Sequence, residues 1–369
     1  MNSPLSGLYV HVPFCRTKCP YCDFYSVTDL GLMDTWLKAV AAEVQFYRND
    51  FPVCDSLYLG GGTPSLLDED RLGPLMEVLQ GEIKFTPDAE VTLEANPDDL
   101  TPARLSFYRG LGVNRLSLGV QSFDESELRL LGRRHTARQA EEAVAMARQA
   151  GFANLSLDLM YALPGQTLAG WERTLQIALA CRPEHLSCYQ LTLEPGTALG
   201  RKYGQAGKTL FNEDAEREFF LFTSGYLEGE GYLHYEISNF ARGESRVCRH
   251  NLKYWRRRRY LGLGPGAHSF DGRRRWWNHR SVVRYCELLT AGKPPMAGSE
   301  LLTPEQVRLE RLLLGFRMRD GVELESLAGR EEDLANLASR GWLRVEGGRA
   351  RPTIQGFLVA DRLPLCFSD

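Results

Sequence analysis

The sequence has no apolar run near the ~18 residues that a membrane-spanning helix needs, and its first residues lack the pattern of a signal peptide. We therefore expect a protein of the cytosol. A strong charge of one sign is also missing, because 44 Lys and Arg face 47 Asp and Glu and leave a formal net charge of −3. This balance excludes a chain that binds polyanions through its overall charge.

The cysteines are too unevenly placed for a framework of disulfides. There are nine, an odd number; Cys15, Cys19 and Cys22 form one group and the other six are scattered. Thiolates are the soft ligands that iron–sulfur clusters and zinc prefer. The sequence therefore indicates a metal centre near the amino end.

The spacing of Cys15, Cys19 and Cys22 favours a [4Fe–4S] cluster. Three cysteines can bind three of its four irons and leave the fourth open to another ligand. A structural zinc site needs four ligands, usually as two closely spaced pairs. No second Cys or His pair with that spacing occurs, so His11 or Cys54 would have to complete such a site. We prefer the cluster to zinc, and zinc to cysteines without a metal.

Short apolar runs alternate with amphipathic stretches over residues 8–190. The predicted strands are 8–12, 56–60, 90–94, 115–119, 154–158 and 185–190, and the predicted helices are 34–48, 68–80, 101–110, 137–149 and 168–180. This alternation predicts parallel strands joined by right-handed crossovers. An open partial TIM barrel, (βα)6, is preferred to a doubly wound sheet, because polar residues recur just after the strands, where a barrel builds its site.

The rest of the chain predicts two further units. Residues 226–300 are a basic and aromatic extension, and a helix at 212–228 precedes them. Helices at 304–318, 323–328, 330–340 and 353–361, with a hairpin around Gly347-Gly348, predict a winged-helix-like cap. The expected domains are therefore a core barrel at 1–225, the extension at 226–300 and a C-terminal winged-helix-like domain at 301–369.

Glycine and polar residues follow four of the predicted strands. They are the run Gly60-Gly61-Gly62-Thr63-Pro64, then Glu94, then Gln121 with Arg133 after it, and Asp158. Glycine lets a backbone approach a ligand closely. Each residue alone is more often a turn, a cap or a solvated side chain. As a set on one face of a barrel, they predict contacts to the ribose and charged groups of a ligand.

The cysteine loop after the first strand and the glycine run after the second resemble the radical SAM superfamily. In that family the amino and carboxylate groups of S-adenosylmethionine (SAM) chelate the fourth iron. The resemblance implies that Tyr9, Gly61 and Glu94 contact a first SAM. The residues that match a second SAM site of the family are Tyr21, Gly62, Thr63, Gln121, Arg133 and Asp158. Whether one or two SAM molecules bind stays open at this point.

Within that superfamily the chain resembles the coproporphyrinogen dehydrogenase group at residues 9–15, 60–64, 121–123, 250–255 and 264–269. Those dehydrogenases carry a further cysteine two residues after the third, where this chain has Phe24, and a longer segment before the cluster. Both departures match a sister group of haem chaperones. The resemblance thus implies haem binding and transfer, with oxidative decarboxylation of coproporphyrinogen III as the alternative.

The segment Arg246 to Arg280 contains eleven Lys and Arg and one acid, Asp271. Aromatic rings can pack on a porphyrin, arginines can bind its propionates, and histidine is a common axial ligand. The haem-binding candidates are His250, Asn251, Tyr254 and Trp255. A single histidine more often satisfies a hydrogen bond than binds iron, and arginine runs are usually solvated.

Haem, or a porphyrinogen, is therefore the first expected partner, and a haem-accepting protein the second, with respiratory enzymes as leading candidates. The same basic segment could dock on the anionic inner face of a membrane, which is compatible with haem binding. Single-stranded nucleic acid, and with it an enzyme acting on RNA, ranks third. The cluster and SAM would serve regulation, homodimer formation or a reaction not identified.

Overall fold

The computed structural model describes residues 5–204 and 212–367. At the centre of its larger sheet lie six parallel strands in chain order. They are β1 (Ser6–Val12), β2 (Val53–Gly61), β3 (Lys84–Ala95), β4 (Arg115–Gln121), β5 (Leu155–Tyr161) and β6 (His185–Gln190). β1 and β5 are buried along nearly their whole length, as strands of a parallel sheet covered by helices are. All six strands were predicted, and they are confirmed.

Helices connect these strands. They are α1 (Met33–Tyr47), α2 (Glu69–Glu82), α3 (Pro102–Gly110), α4 (Glu125–Leu130), α5 (Ala137–Gln149) and α6 (Leu168–Ala180). The hydroxyl of Thr101 accepts a hydrogen bond from the backbone N–H of Arg104 and begins α3, with a proline at the first helical position. Gly112 and Gly151 follow α3 and α5 with φ of 88° and 86°, the left-handed backbone that ends a helix.

The parallel set stays open, because both of its edges are extended by further strands. β6 pairs antiparallel with β8 (Asn239–Ala241), which pairs with β7 (Leu233–Glu236). On the other edge β1 pairs in parallel with β9 (Tyr260–Leu263). Beyond β9 lie β10 (His268–Phe270), β11 (Arg274–Asn278) and β12 (Met296–Leu301), all antiparallel. The result is the predicted partial barrel, and much of the 226–300 extension lies within its sheet.

Several elements of the middle segment were not predicted. Besides β7–β12 they are α7 (Ala198–Tyr203), α9 (Arg249–Trp255) and α10 (Val282–Thr290), whereas α8 (Glu213–Gly229) was. Each missed element has only three to nine residues, too few for an apolar period to be recognised. Residues 1–4, 205–211 and 368–369, which belong to the predicted terminal and core domains, lie outside the described residues.

The C-terminal part has its own antiparallel sheet and apolar core. Its elements are α11 (Pro304–Gly315), β13 (Val322–Glu323), α12 (Glu331–Ser339), β14 (Leu343–Glu346), β15 (Arg349–Pro352) and α13 (Ile354–Phe357). The hairpin at Gly347-Gly348 is confirmed, and both glycines have positive φ. The helix predicted at 323–328 is a 3-10 turn, Leu324–Leu327, and the one at 353–361 ends at Phe357. This is a winged-helix-like cap.

None of the helices in the described ranges is both long and apolar enough to cross a membrane.

Candidate functional site

The three predicted ligand cysteines lie in the loop between β1 and α1. This loop begins at Phe14, which is fully buried and packs edge-on against Trp36 with 5.7 Å between ring centroids. The backbone N–H of Cys15 donates to the carbonyl of Val27 over 3.0 Å and closes the base of the loop. Burial raises the pKa of the Cys22 thiol, so its ionisation calls for a nearby positive charge such as a metal.

The three thiols line a cavity of about 560 Å³ at the carboxyl ends of the parallel strands. Eight of the nine predicted SAM residues line the same cavity. They are Tyr21, Gly61, Gly62, Thr63, Glu94, Gln121, Arg133 and Asp158. The structure thus brings together side chains that lie far apart in the sequence, as the predicted convergence on one barrel face requires. Tyr9 is the exception and lines a neighbouring groove.

The glycine run at the end of β2 packs against the cysteine loop. The N–H of Gly62 donates to the carbonyl of Val12 over 2.8 Å. A Cβ atom at Gly62 would lie 2.7–2.9 Å from backbone atoms of Val12 and Phe14, so no larger residue fits without movement. Next along the chain, the Thr63 hydroxyl donates to the Cys15 sulfur over 3.4 Å. The run therefore fixes the position of the first cysteine.

Two half-buried carboxyl groups, those of Glu94 and Asp158, line this cavity. Glu94 accepts hydrogen bonds from the hydroxyl of Tyr58 over 2.8 Å and from the N–H of Gly61 over 3.0 Å. Burial raises the pKa of Glu94 to about 7, and the nearby Asp158 contributes in the same direction. Burial also raises the pKa of Asp158, whose two oxygens each lie 3.2 Å from the Ser117 hydroxyl. A cationic or hydroxylated ligand would stabilise both groups in their ionised form.

Arg133 and Gln121 also line the cavity. The Arg133 guanidinium donates to the Gly119 carbonyl and, over 3.7 Å, to the Cys19 sulfur. Gln121 ends β4 with φ of 70°, a conformation that non-glycine residues rarely adopt and that often marks a functional position. A Cβ on Gly119 would lie 3.2 Å from the Arg133 guanidinium and 3.3 Å from the Gln121 amide, so glycine makes room for both.

Arg115 is a lining residue that the sequence reading missed. Its side chain is 1% exposed, yet Nε and Nη1 have no hydrogen-bond partner among the described residues. Buried donors without hydrogen bonds are costly, even though the nearby Glu90 carboxylate stabilises the charge of Arg115. The sequence feature that could have identified Arg115 is an arginine at the start of the mainly apolar strand β4. Arg115, with two unsatisfied donors, and the half-buried carboxyls of Glu94 and Asp158 line one cavity. These groups fit a zwitterionic ligand with hydroxyl groups, and SAM is such a ligand.

The haem-candidate motif lies on α9, behind the cavity. The N–H groups of Arg249 and His250 donate to the Glu90 carboxylate over 3.1 and 3.0 Å and fix the start of the helix on β3. From this helix Asn251 lines the cysteine cavity, and Tyr254 lines the neighbouring groove. The motif thus contributes one residue to each.

His250 itself is 1% exposed, and both of its ring nitrogens are engaged. Nδ1 lies 3.0 Å from the Ser56 hydroxyl, and Nε2 lies 2.8 Å from the Tyr254 hydroxyl. Burial lowers the pKa of His250 to about 3. This arrangement leaves no ring nitrogen for a haem iron, so the prediction of haem binding at His250 has no structural support. Trp255 lines neither cavity and lies 5.7 Å from the Arg317 guanidinium.

Several residues of the arginine runs form ion pairs within the protein. Arg256 forms an ion pair of 3.0 Å with Asp320 of the C-terminal cap. Arg257 and Arg275 both pair with Glu310, also in the cap. These contacts join the cap to the barrel and remove three of the cations that had been considered for haem propionates or a membrane.

A three-cysteine loop, a glycine run and convergent carboxyls at the strand ends of a partial barrel are the parts of a radical SAM protein. Residues 9–178 match the model of the Radical SAM superfamily. The heme chaperone HemW of Mycobacterium tuberculosis is 37% identical over 364 residues, which cover 96% of this chain and 93% of that protein. HemW of Bacillus subtilis is 35% identical, with 97% and 98% covered. The chain belongs to the HemW family of radical SAM proteins.

Two further comparisons extend this result. The bovine mitochondrial radical S-adenosyl methionine domain-containing protein 1 is 35% identical, with 90% of this chain and 73% of that protein covered. The solved structure of coproporphyrinogen III oxidase (HemN) from Escherichia coli superimposes with a TM-score of 0.86 at 24% identity, covering 99% of this chain and 90% of that one. The two share a fold. The superfamily implies a [4Fe–4S] cluster and SAM, and the donors described above fit both.

Proposed function

We propose that this chain binds haem and transfers it to an acceptor protein, on a scaffold that holds a [4Fe–4S] cluster and SAM. One observation carries the proposal, the similarity of 35–37% over nearly the whole chain to proteins named heme chaperones. Haem is a ligand that such a protein must hold and also release.

In this proposal the cysteine cavity is the cluster and SAM site. Cys15, Cys19 and Cys22 bind three irons and leave the fourth for SAM. The backbone of Gly61, Gly62 and Thr63 borders SAM's amino group. Glu94 contacts the SAM on the open iron. Gln121, Arg133 and Asp158, which match the second SAM site of the family, offer amide, guanidinium and carboxyl groups to the same SAM or to a second one. Tyr21 packs beside these side chains, and Tyr9 contacts the bound SAM from the adjoining groove.

A coproporphyrinogen III dehydrogenase is the second candidate, favoured by the shared fold of HemN. Cluster and SAM together would supply the one-electron chemistry for oxidative decarboxylation. Phe24 argues against this candidate. It is 70% exposed and lines the cysteine cavity, so the further cysteine of the dehydrogenases is replaced by an aromatic ring at a position that faces the site.

The acceptor is a haem-requiring protein, with respiratory enzymes as first candidates, reached in the cytosol or at the inner face of the membrane. Surface cations outside the ion pairs with the cap, such as Arg258 and Arg273, would support the membrane contact. A homodimer is the proposed assembly. RNA binding ranks last because the chain as a whole is slightly acidic.

The test is a pair of assays on the full chain, reconstituted anaerobically. Haem is titrated in one, and in the other coproporphyrinogen III is incubated with SAM and a reductant. We expect saturation near one haem per chain and no protoporphyrinogen. Protoporphyrinogen formation would select the dehydrogenase, and a chain that binds no haem would overturn the chaperone proposal.

A further inference from the structure

Beside the cysteine cavity lies a second, more open groove of about 830 Å³, bordered by β1, β9, β10 and β11. Its aromatic lining consists of Tyr9, Phe24, Tyr25, Tyr254, Tyr260 and Trp277. Phe24 lines both cavities, and its 70% exposure is large for a phenylalanine. An apolar groove with an exposed aromatic ring at its edge is typical of a ligand site.

Two histidines line this groove, His11 and His268. His11 is buried, and its ring nitrogens lie 3.0 Å from the Tyr9 hydroxyl and 2.8 Å from the Tyr25 carbonyl. The histidine that the groove offers to a ligand is therefore His268. It lies at the start of β10, is exposed, and stacks on Trp277 with 5.8 Å between ring centroids. Among the residues that the structure describes, none forms a hydrogen bond with its ring nitrogens. His185 and His234, by contrast, use both nitrogens within the core.

The loop before His268 is held firmly. The buried carboxylate of Glu43 accepts hydrogen bonds from the N–H of Gly264 over 2.8 Å and from the amide of Asn278 over 2.6 Å. The N–H of Asn278 in turn donates to the carbonyl of Ala267 over 3.0 Å. His268 is therefore presented on a fixed backbone, as a metal ligand should be.

A free cation lies at the same groove. Arg280 is exposed, its guanidinium lies 5.8 Å from the Tyr25 ring, and it forms no ion pair within residues 5–204 and 212–367. Arg275, the other cation, is already paired with Glu300 over 3.2 Å and with Glu310. Asp23 also lines the groove, and its carboxylate would repel a carboxylate of the ligand. The carboxylate of a ligand would therefore bind at Arg280.

We propose that this groove is the haem site, with His268 as an axial ligand of the iron and Arg280 as the partner of a propionate. The inference rests on the proposed function, because the occupant it names is the haem of that function. A flat apolar ring, an iron and carboxylates match the aromatic walls, the free imidazole and the free guanidinium. The open side permits release to an acceptor, and Phe24 places the haem beside the cluster cavity.

The test is a titration of ferric haem into the anaerobically reconstituted full chain, followed at the Soret band and by electron paramagnetic resonance. His268→Ala is expected to weaken haem binding by about tenfold or more and to change the signature of the axial ligand, since even indirect partners of a metal ligand cost that much. Free imidazole is expected to restore the signature. His279→Ala is the matched control, because His279 is half-buried nearby and does not line the groove.

The outcomes separate this inference from the function. If the unaltered chain binds no haem, the proposed function fails. If it binds haem and His268→Ala binds equally well with an unchanged spectrum, the groove is not the site and the function stands. Equal losses in His268→Ala and His279→Ala would also overturn the assignment. Arg280→Gln provides a second reading, with weaker binding but an unchanged axial signature expected.

Discussion

Glu94 accepts a hydrogen bond from the backbone N–H of Gly61, with 3.0 Å between the carboxylate oxygen and the nitrogen. Its other oxygen accepts from the Tyr58 hydroxyl over 2.8 Å. The end of β3 thereby holds the glycine run at the end of β2 in place. Since that run also touches the cysteine loop, this carboxylate connects the barrel to the proposed SAM site.

Replacing Glu94 by Gln is expected to weaken SAM binding by about tenfold, which corresponds to about 1.4 kcal/mol. Glutamine replaces one carboxylate oxygen by an amide donor and removes the negative charge that would attract the amino group of SAM. Equilibrium dialysis of labelled SAM against the reconstituted chain measures the effect. Glu77→Gln, on the exposed face of α2, is the control. An affinity equal to that of the control would show that Glu94 does not support SAM.

Gly62→Ala is expected to lower the cluster content and to reduce the free energy of unfolding by about 1–3 kcal/mol. Its Cβ would lie 2.7–2.9 Å from backbone atoms of Val12 and Phe14, which cannot move without moving the cysteine loop. Iron analysis and denaturant unfolding measure the two effects. Gly81→Ala is the control, because a Cβ at this exposed helical position meets nothing within 4 Å. A Gly62→Ala chain with full iron content would contradict the account.

The buried carboxyl of Glu43 predicts a pH dependence of stability. Burial raises the pKa of Glu43 from 4.5 to about 7, so between these values the folded state holds a proton that the unfolded state has lost. Stability therefore falls as pH rises through this window, by about 3 kcal/mol from this residue. Glu43→Gln removes that loss. Unfolding by denaturant at pH 5 and pH 8 should show a smaller decrease in the variant, and parallel pH profiles would refute the assignment.

His250→Ala separates the two haem interpretations. Its removal takes the partner of the buried Ser56 hydroxyl and of the half-buried Tyr254 hydroxyl and leaves a cavity, so we expect the free energy of unfolding to fall by about 2–4 kcal/mol. The axial signature of bound haem should persist, because His268 supplies the ligand. A folded His250→Ala chain that binds haem without a histidine signature would restore the original interpretation of the motif.

The sequence predicted the cysteine cavity well because its residues follow the long parallel strands. Each of β1–β6 is an apolar segment that is recognisable alone, and parallel strands bring their carboxyl ends together. Gly61, Glu94, Gln121 and Asp158 could therefore be assigned to one site without coordinates. Tyr9 was placed with them by resemblance, yet it lies in the adjoining groove.

The groove could not be predicted, because it is built from short strands and distant partners. β9 and β10 have four and three residues, too few to show a period. Glu43, which fixes the loop before His268, lies 235 residues from Asn278 in the sequence. The burial of His250 has the same cause, since its partner Ser56 lies 194 residues away. Only the fold shows that, among the described residues, the ring nitrogens of His250 are engaged whereas those of His268 are not.

The measurement that tests the central claim most directly is the iron and acid-labile sulfide content of the anaerobically reconstituted chain. About four of each per chain are predicted for the unaltered protein. Replacing Cys15, Cys19 and Cys22 together by Ala should remove both, whereas Cys366→Ala, at an exposed cysteine, should change neither. If the triple variant kept its iron and sulfide, the three-cysteine loop would not hold the cluster, and the proposed site would be wrong.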